Sequence, residues 1–511
     1  MKTISSNVPA IGSAAFVKGF YLTLGAVALV VAGCSWFPSV GPDYREPDVA
    51  LEATPLPDAG LPTTNKTATG EYVPAEGEAD VRELITTNDV VCWWTHFNDP
   101  VLASLVNESV SNNLSFLMAR QRLLASRWQI VGVKSAYLPQ FAASASGART
   151  EYGPNTPNMW GTDKTLHRDV FAAGFDATWE IDIFGGTRRS VEAAQATYVA
   201  NAWGVADAWV SLTSEVGINY VRLRTIQERI DVARTNLVLQ TETYDILKSR
   251  LDSGIGDELA VNQSKYVVDQ TRAAIPPLLS AEESLKNALA ILVGAMPGDL
   301  HSELVPIPER DWMLAPRKLD AIPLDMIRAR PDVRKAERTL AAQVAYVGVA
   351  ESMWYPKLYI NGSLGLQSVH STSLFERDSL VGSIGPAISW PIFQGGKILA
   401  NIKTEEAKMN ECILAYELAI EKAYGEVRDA YSSYTEEYHR YQALQGAVKA
   451  AQDAVNIAND LYKNGLRDFT AVIDAQRSLL SLQESLVVSR GTITTNLIAL
   501  YKSLGGGILA D

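Results

Sequence analysis

The sequence predicts a mainly α-helical chain with a smaller β part, built twice over as a helix, a β-hairpin and a pair of long helices. Three observations predict this class. Apolar residues keep a helical period through most of the 511 residues but switch to a period of two in two short stretches. Landmarks also return at one offset: Glu215-Val216 with Tyr220 recurs 211 residues later as Glu426-Val427 with Tyr431, and Gly254 with Asp257 as Gly465 with Asp468. A constant offset across separate landmarks marks an internal duplication of about two hundred residues, which must be recognised before any site is assigned. Finally, one helical stretch is far longer than a globular core can cover.

At the amino terminus, Lys2 and Lys18 flank a region leading into an apolar run over residues 20–32. The run is too short to cross a bilayer, which takes about twenty residues, and its position is that of a secretory signal. Val31-Ala32-Gly33-Cys34 closes it and resembles a bacterial lipobox, so residues 1–33 are expected to be removed and Cys34 to become an acylated first residue. The lipid on Cys34 is the only cofactor expected. Ser35, rather than an aspartate, follows the cysteine, as in lipoproteins sent to the outer membrane. Removal of 1–33 takes away two lysines and no acid, leaving 58 acidic against 43 basic residues, which argues against nucleic acid as a partner. Cys92 and Cys412 remain, able to pair in an oxidising compartment but too few for a disulfide framework. Residues 34–97 read as an extended arm rich in Pro, Thr, Glu, Ala and Gly, ending near Trp93-Trp94.

Repeat 1 covers 98–310 and repeat 2 covers 311–511. In the first, a helix over 101–136 precedes a hairpin over 140–183, followed by long helices over 186–252 and 258–293. In the second, a helix over 324–352 ends before Pro356, which lacks a backbone donor. A hairpin over 357–392, with its second strand over 381–392, then leads through Gln394-Gly395-Gly396 to helices over 396–463 and 469–504. The helix over 396–463 carries two heptad series, Tyr424, Tyr431, Tyr438, Gln445, Gln452, Asn459 and Val427, Tyr434, Tyr441, Val448, Val455, Tyr462, the mark of a coiled-coil seam. At 1.5 Å per residue it is roughly 100 Å long, so it must lie along other helices. Ser253-Gly254-Ile255 and Asn464-Gly465-Leu466 have the chemistry of helix C-caps.

In the strands, Phe171, Ala173, Phe175, Ala177, Trp179 and Ile181 alternate with Ala172, Gly174, Asp176, Thr178, Glu180 and Asp182, giving one apolar and one polar face. The alternation suits a membrane barrel with a watery lumen and a soluble sandwich equally well. Two hairpins give four strands, too few to close a barrel, whereas a symmetric trimer gives twelve. Tyr137, Phe141, Trp179, Phe184, Trp354, Tyr355, Trp390 and Phe393, near the strand ends, suit an interfacial girdle, or equally an ordinary core. No catalytic constellation stands out. The five histidines, His96, His167, His301, His370 and His439, lie in unrelated contexts, and neither G-x-S-x-G nor H-E-x-x-H occurs.

The lipobox, Val40-Gly41-Pro42-Asp43-Tyr44, Trp93-Trp94, Phe97-Asn98-Asp99-Pro100, Arg330-Pro331-Asp332-Val333 and the doubled hairpins together resemble the outer-membrane efflux proteins of the TolC and OprM type, in their lipoprotein branch. The resemblance implies a homotrimer with a twelve-stranded outer-membrane β-barrel continuing into a periplasmic α-helical barrel. It also implies a passive conduit for drugs or other small molecules, fed by a periplasmic adaptor and an inner-membrane pump, of the proton-driven kind in this branch. In such proteins the tips of the long helices close the channel. The motif Y-x-x-G-x-R followed by an Asp is matched by Tyr462, Gly465, Arg467 and Asp474, which implies closing contacts from Tyr462 and Arg467 and a cation-favouring constriction at Asp474. Ala471, with Ala260 as its equivalent, departs from the family pattern, so an acidic ring is either missing or supplied by Asp257, Glu258 or Asp468. A structural periplasmic coiled-coil lipoprotein and a type I protein-secretion channel are the alternatives, and the cargo is not readable.

Overall fold

The computed structural model describes residues 39–47, 92–153, 166–307 and 324–507. The expected signal peptide, Cys34 and most of the arm lie outside these residues. In chain order the elements are α1 (Pro100–Asn112), α2 (Leu114–Lys134), β1 (Gln140–Tyr152), β2 (Leu166–Ile181), α3 (Gly186–Asp252), α4 (Glu258–Val293), α5 (Leu324–Ala329), α6 (Pro331–Ser352), β3 (Lys357–Ser368), β4 (Leu380–Ser389), α7 (Lys397–Lys463) and α8 (Phe469–Ser503). The chain divides into two compact units, each drawing on both repeats. Among the described residues, one holds 39–47, 124–153, 166–199 and 337–414, and the other holds 92–123, 200–307, 324–336 and 415–507.

Both helices expected ahead of the hairpins are broken. The stretch 101–136 divides at Asn113, whose side chain accepts from Phe116 N at 2.9 Å and donates to Leu292 O at 2.9 Å. That residue caps the new helix while bonding to α4, an alternative to helical bonding that asparagine offers readily. The stretch 324–352 divides at Arg330, because the residue before a proline is pushed out of helical geometry. The second strand of the second hairpin ends at Ser389, not at 392. Pro391 cannot donate to a ladder, and the Trp390 indole N–H turns to Trp354 O at 3.0 Å.

The first unit contains a four-stranded antiparallel sheet in the order β1-β2-β3-β4, so the two hairpins meet along β2 and β3. Phe175 pairs with both Ala143 and Leu364, which sets the register of three strands. Residues 39–47 are strapped onto the same unit. Arg189, buried, donates to Val40 O at 3.2 Å, Gly41 O at 3.1 Å and Asp43 Oδ1 at 2.7 Å, while the Tyr44 hydroxyl donates to Glu337 Oε1 at 3.2 Å. Burial, and then Glu337 itself, hold the Tyr44 hydroxyl above its ordinary pKa, so it stays a donor.

The second unit is helical, with one large core. Val216 and Tyr220 of α3 and their duplicated counterparts Val427 and Tyr431 of α7 are all fully buried in it. Trp93 stacks on Tyr501 at 6.3 Å and meets Trp94 and Phe97 edge-on. The tryptophan has room only because residue 217 of α3 is glycine: a Cβ there would fall inside its ring. Asp99 caps α1 by accepting from Val101 N and Leu102 N, and its other oxygen accepts from the Tyr220 hydroxyl at 2.8 Å. Arg224 extends this chain, donating to Tyr220 Oη at 3.0 Å, Gln227 Oε1 at 2.7 Å and Val305 O at 2.6 Å.

Along α7 the heptad series separate. In the second, Val427, Tyr434, Tyr441 and Val455 are buried and Val448 and Tyr462 half-buried. In the first, Tyr431 is buried but Gln445 and Gln452 are exposed. Cys92 and Cys412 are both free thiols, so the pairing left open by the sequence does not form.

Gly217→Val overpacks the Trp93 site. A loss of about 1–3 kcal/mol is expected, read as a lower midpoint of thermal unfolding for the purified protein, with unchanged unfolding excluding this packing role.

Candidate functional site

The sheet presents two chemically distinct faces. By register, Phe141, Ala143, Ala145 and Gly147 of β1 share a face with Phe171, Phe175 and Trp179 of β2, with Leu358, Ile360, Leu364 and Leu366 of β3, and with Leu380, Ile384 and Ile388 of β4. Phe141, Phe175, Leu364, Ile384 and Ile388 on it are exposed. The apolar band stops where Arg149 forms a two-pronged ion pair with Asp169, at 2.7 and 2.9 Å. The opposite face is polar. It carries Ser144 donating to Asp176 at 3.0 Å, Ser363 bonded to Ser383 at 2.8 Å and Lys357 paired with Glu180 at 3.0 Å. Trp179 and Trp390, equivalent in the two repeats, each donate an indole N–H to a carbonyl at the start of their own hairpin, Tyr137 O and Trp354 O, both at 3.0 Å. Trp179 is buried while Trp390 is exposed, so one partner of the pair serves as core and the other as surface.

The far ends of the long helices form a second candidate site. Leu247 of α3, Ala260, Val261 and Val267 of α4, Ala458 of α7 and Phe469, Val472 and Ile473 of α8 make a small core from all four helices. Tyr462 packs edge-on against Phe469, at 5.2 Å and 62°. Gly254 and Gly465 take φ of 79° and 70°, the left-handed conformation a helix C-cap requires, in open space. Beyond each glycine an apolar residue points outward: Ile255 is 80% exposed and Leu466, its duplicated counterpart, 68%.

The sequence-chosen aperture residues fall into distinct settings. Asp257 is the N-cap of α4, accepting from Leu259 N at 3.0 Å, whereas Asp468, at the matching place before α8, makes no side-chain cap bond. Arg467 and Asp474 are exposed, and among the described residues neither side chain has an ion-pair or hydrogen-bond partner. Tyr462 and Arg467 are not brought together, since the tyrosine ring is turned to Phe469. Ala260 is buried in the tip core and Ala471 half-buried, which explains why alanine rather than an acid stands there. Phe469, Ile255 and Leu466 were missed by sequence reading; the outward pair carried a signal, two apolar residues directly after matching C-cap glycines.

A cavity of about 370 Å³ lies in the helical unit, lined among others by Asp207, Arg330, Asp332, Glu426, Asp429 and Lys502. Arg330, buried, donates to both oxygens of Asp332, to Glu426 Oε2 at 2.7 Å and to Ser503 O at 2.7 Å. The Arg-Pro-Asp-Val motif thus ties the start of α6 to α7 and to the end of α8. Burial, and then the neighbouring Asp332 carboxylate, raise the Asp207 carboxyl above its ordinary value.

The sequence pattern of the outer membrane efflux protein family matches this chain twice, over residues 105–296 and 324–506. The chain belongs to the outer membrane efflux protein family. It is 27% identical over 495 residues to nodulation protein T of Rhizobium leguminosarum bv. viciae, covering 97% of this chain and 95% of that one. The toluene efflux pump outer membrane protein TtgF of Pseudomonas putida is 27% identical over 496 residues, covering 96% and 97%. Among solved structures, the outer-membrane channel OprN superposes with a TM-score of 0.78 at 30% identity, covering 91% of this chain and 99% of that one. The efflux protein is therefore an outer-membrane channel, and the expected fold class holds: a mainly helical chain with a small sheet. No described helix is long and apolar enough to cross a membrane.

Because Asp207 has a raised carboxyl pKa in the folded efflux protein, its ionisation opposes folding once the pH rises past the unfolded value of about 4. Asp207→Asn is expected to unfold at a higher temperature than the parent at pH 7, with the gain shrinking toward pH 4. A lower midpoint at pH 7 contradicts this.

Proposed function

We propose that three copies of this chain close a twelve-stranded barrel in the outer membrane and act as the passive conduit of a tripartite efflux system. The observation that carries this reading is the sheet itself. Both β1 and β4 are edge strands in the chain, and one face of all four strands is apolar and open. In hydrocarbon an unpaired edge is untenable, because every backbone N–H and C=O must find a partner inside the protein. Pairing β4 of one copy with β1 of the next satisfies both edges, and three copies give an even strand number within the range of membrane barrels. The polar face then lines the lumen and the exposed apolar band meets lipid. Gln445 and Gln452, left open on α7, supply a polar half-seam for a helix of the neighbouring copy.

Lipid anchoring through Cys34 fits the strap. Cys34 precedes Ser39 by five residues, a reach of at most about 17 Å, and Ser39 lies against Gly185 just beyond the end of β2. An acyl chain on Cys34 would thus enter the outer membrane beside the sheet. At the other end of the long helices, Ile255 and Leu466 offer two matching apolar contacts per copy for a periplasmic adaptor, which in turn engages a proton-driven inner-membrane pump. Tyr462 and Arg467 act in closing the aperture, and Asp474, Asp468 and Asp257 give it an acidic lining. The protein makes and breaks no bond; the driving force lies in the pump.

In unheated detergent electrophoresis the protein should run as a trimer that collapses to one chain on boiling; a single-chain band without heating overturns the barrel. In planar bilayers, Tyr462→Phe with Arg467→Ala is expected to raise single-channel conductance several-fold, corresponding to about 1 kcal/mol of lost closing contact. Unchanged conductance removes the two residues from the gate.

A further inference from the structure

α4 and α8 are equivalent helices, yet one stretch of α4 is polar where α8 is core. Glu282, Glu283, Lys286 and Asn287 stand where α8, 211 residues on, has Ile493, Thr494, Leu497 and Ile498, all four buried. In α4 that face receives residues 294–307, the segment by which the chain leaves repeat 1. Charged side chains hold such a place only where they find partners.

The segment is held in two ways. Leu300 and Leu304 enter the large core, and the carbonyls of Leu304 and Val305 accept from Gln227 Nε2 at 2.8 Å and from Arg224 at 2.6 Å. Gln227 also donates to Glu282 Oε1 at 3.1 Å, an oxygen that Lys286 pairs with at 2.8 Å. Nearer α4, His301 ties the turn over 296–303 to the helix: its Nδ1 lies 2.7 Å from Gly298 O and its Nε2 2.8 Å from Glu283 Oε2.

Each nitrogen of the His301 ring therefore faces an acceptor. A neutral imidazole carries one N–H and can satisfy only one of them, whereas an imidazolium carries two and satisfies the pair. The charged groups acting on the ring are Glu283, which favours the proton, and Lys286, which opposes it, both on α4. Of the segment's own acids, Asp299 accepts from Met296 N at 3.1 Å and Glu303 follows the turn; α3 faces the segment with Arg224 and Gln227, engaged on its carbonyls. The hydrogen bond to Glu283, and then the one to Gly298 O, raise the His301 pKa above its ordinary value of 6.5.

We propose that His301 is a pH-operated latch on the segment that leaves repeat 1: charged, it clasps Glu283 and closes the 296–303 turn on α4; neutral, it frees the turn while Arg224 and Gln227 keep the far end in place. Because the folded value is the higher one, the latch contributes fully below the unfolded value of about 6.5 and is lost as the pH rises through the folded value. Leu300 lies within the turn and is buried, so release loosens one edge of the large core.

Hydrogen exchange on the purified full-length protein at pH 6 and pH 9, with rates corrected for their intrinsic pH dependence, reads the latch. Amides within 296–304, where Asp299, His301, Glu303 and Leu304 N–H groups are bonded inside the turn, are expected to lose roughly threefold in protection at pH 9, the size an exposed ion pair supports. Amides within 285–293 of α4 keep theirs. His301→Phe is expected to show the lower protection at both pH values, and Glu283→Gln, which keeps an acceptor but loses the charge, to move the loss to lower pH. Equal protection of the turn at the two pH values in the parent overturns the latch, as does a loss that persists in His301→Phe. If His301→Phe does not fold, Glu283→Gln decides, and a loss at the parent's pH overturns the latch.

Discussion

The backbone edges of β1 and β4 are the constraint from which the rest follows. A sheet can bury one face against a second layer and still leave edges to water, but this sheet has an apolar band on an open face and, among the described residues, no strand beyond β1 or β4. In water such a surface aggregates; in hydrocarbon its unpaired amides are costlier still. The closure with other copies proposed above would answer both problems, with the polar face toward the lumen and the apolar face toward lipid. Because the apolar set shifts by one residue from odd positions in β2 to even positions in β3, the register between hairpins decides that assignment, and a slip of one residue would invert it.

The helical unit faces the opposite problem, holding two similar halves together in one defined way. It does so by treating equivalent positions unequally. Val216 and Val427, Tyr220 and Tyr431 share one core as near twins. Around them the duplication is broken: Gly217 admits Trp93 where repeat 2 has Arg428, and Arg330 reaches both Ser503 O and Glu426 where repeat 1 has Asn113 on Leu292 O, the equivalent carbonyl. The aromatic plug and the buried guanidinium are long-range contacts, and they fix which half packs where. At the tips the same inequality recurs, with the Tyr462 and Phe469 pair standing where repeat 1 has Leu251 and Glu258.

Stiffness is distributed in the same manner. α3 is gripped by α8 through ions, amides and a glycine contact, and touches α4 through aliphatic side chains beside a diproline. Two helices descended from one ancestor thus differ in backbone donors, because Pro276 and Pro277 lack N–H groups where α8 has Val487 and Val488.

Periodic and local features could be read without any coordinates: the alternation of the strands, the heptads of α7, the glycine caps at Gly254 and Gly465, and the duplication that organises them all. These are legible because each is written in the spacing of neighbouring residues. The break at Asn113 was not legible, since it depends on Leu292 O, nor was the early end of β4, which depends on Trp354 O. Pro276-Pro277 lies inside the helix expected over 258–293, and the structure shows Ile275 and Leu278 beside it packed on α3. The candidate aperture was half legible: the glycine caps mark the helix tips, but that Asp257 caps α4 and that Tyr462 turns to Phe469 in a small apolar core from four helices came only with the structure. Long-range packing settled these points because a hydrogen bond or an aromatic contact between residues far apart in the chain overrides the local preference at either end, and such partners leave no period to read.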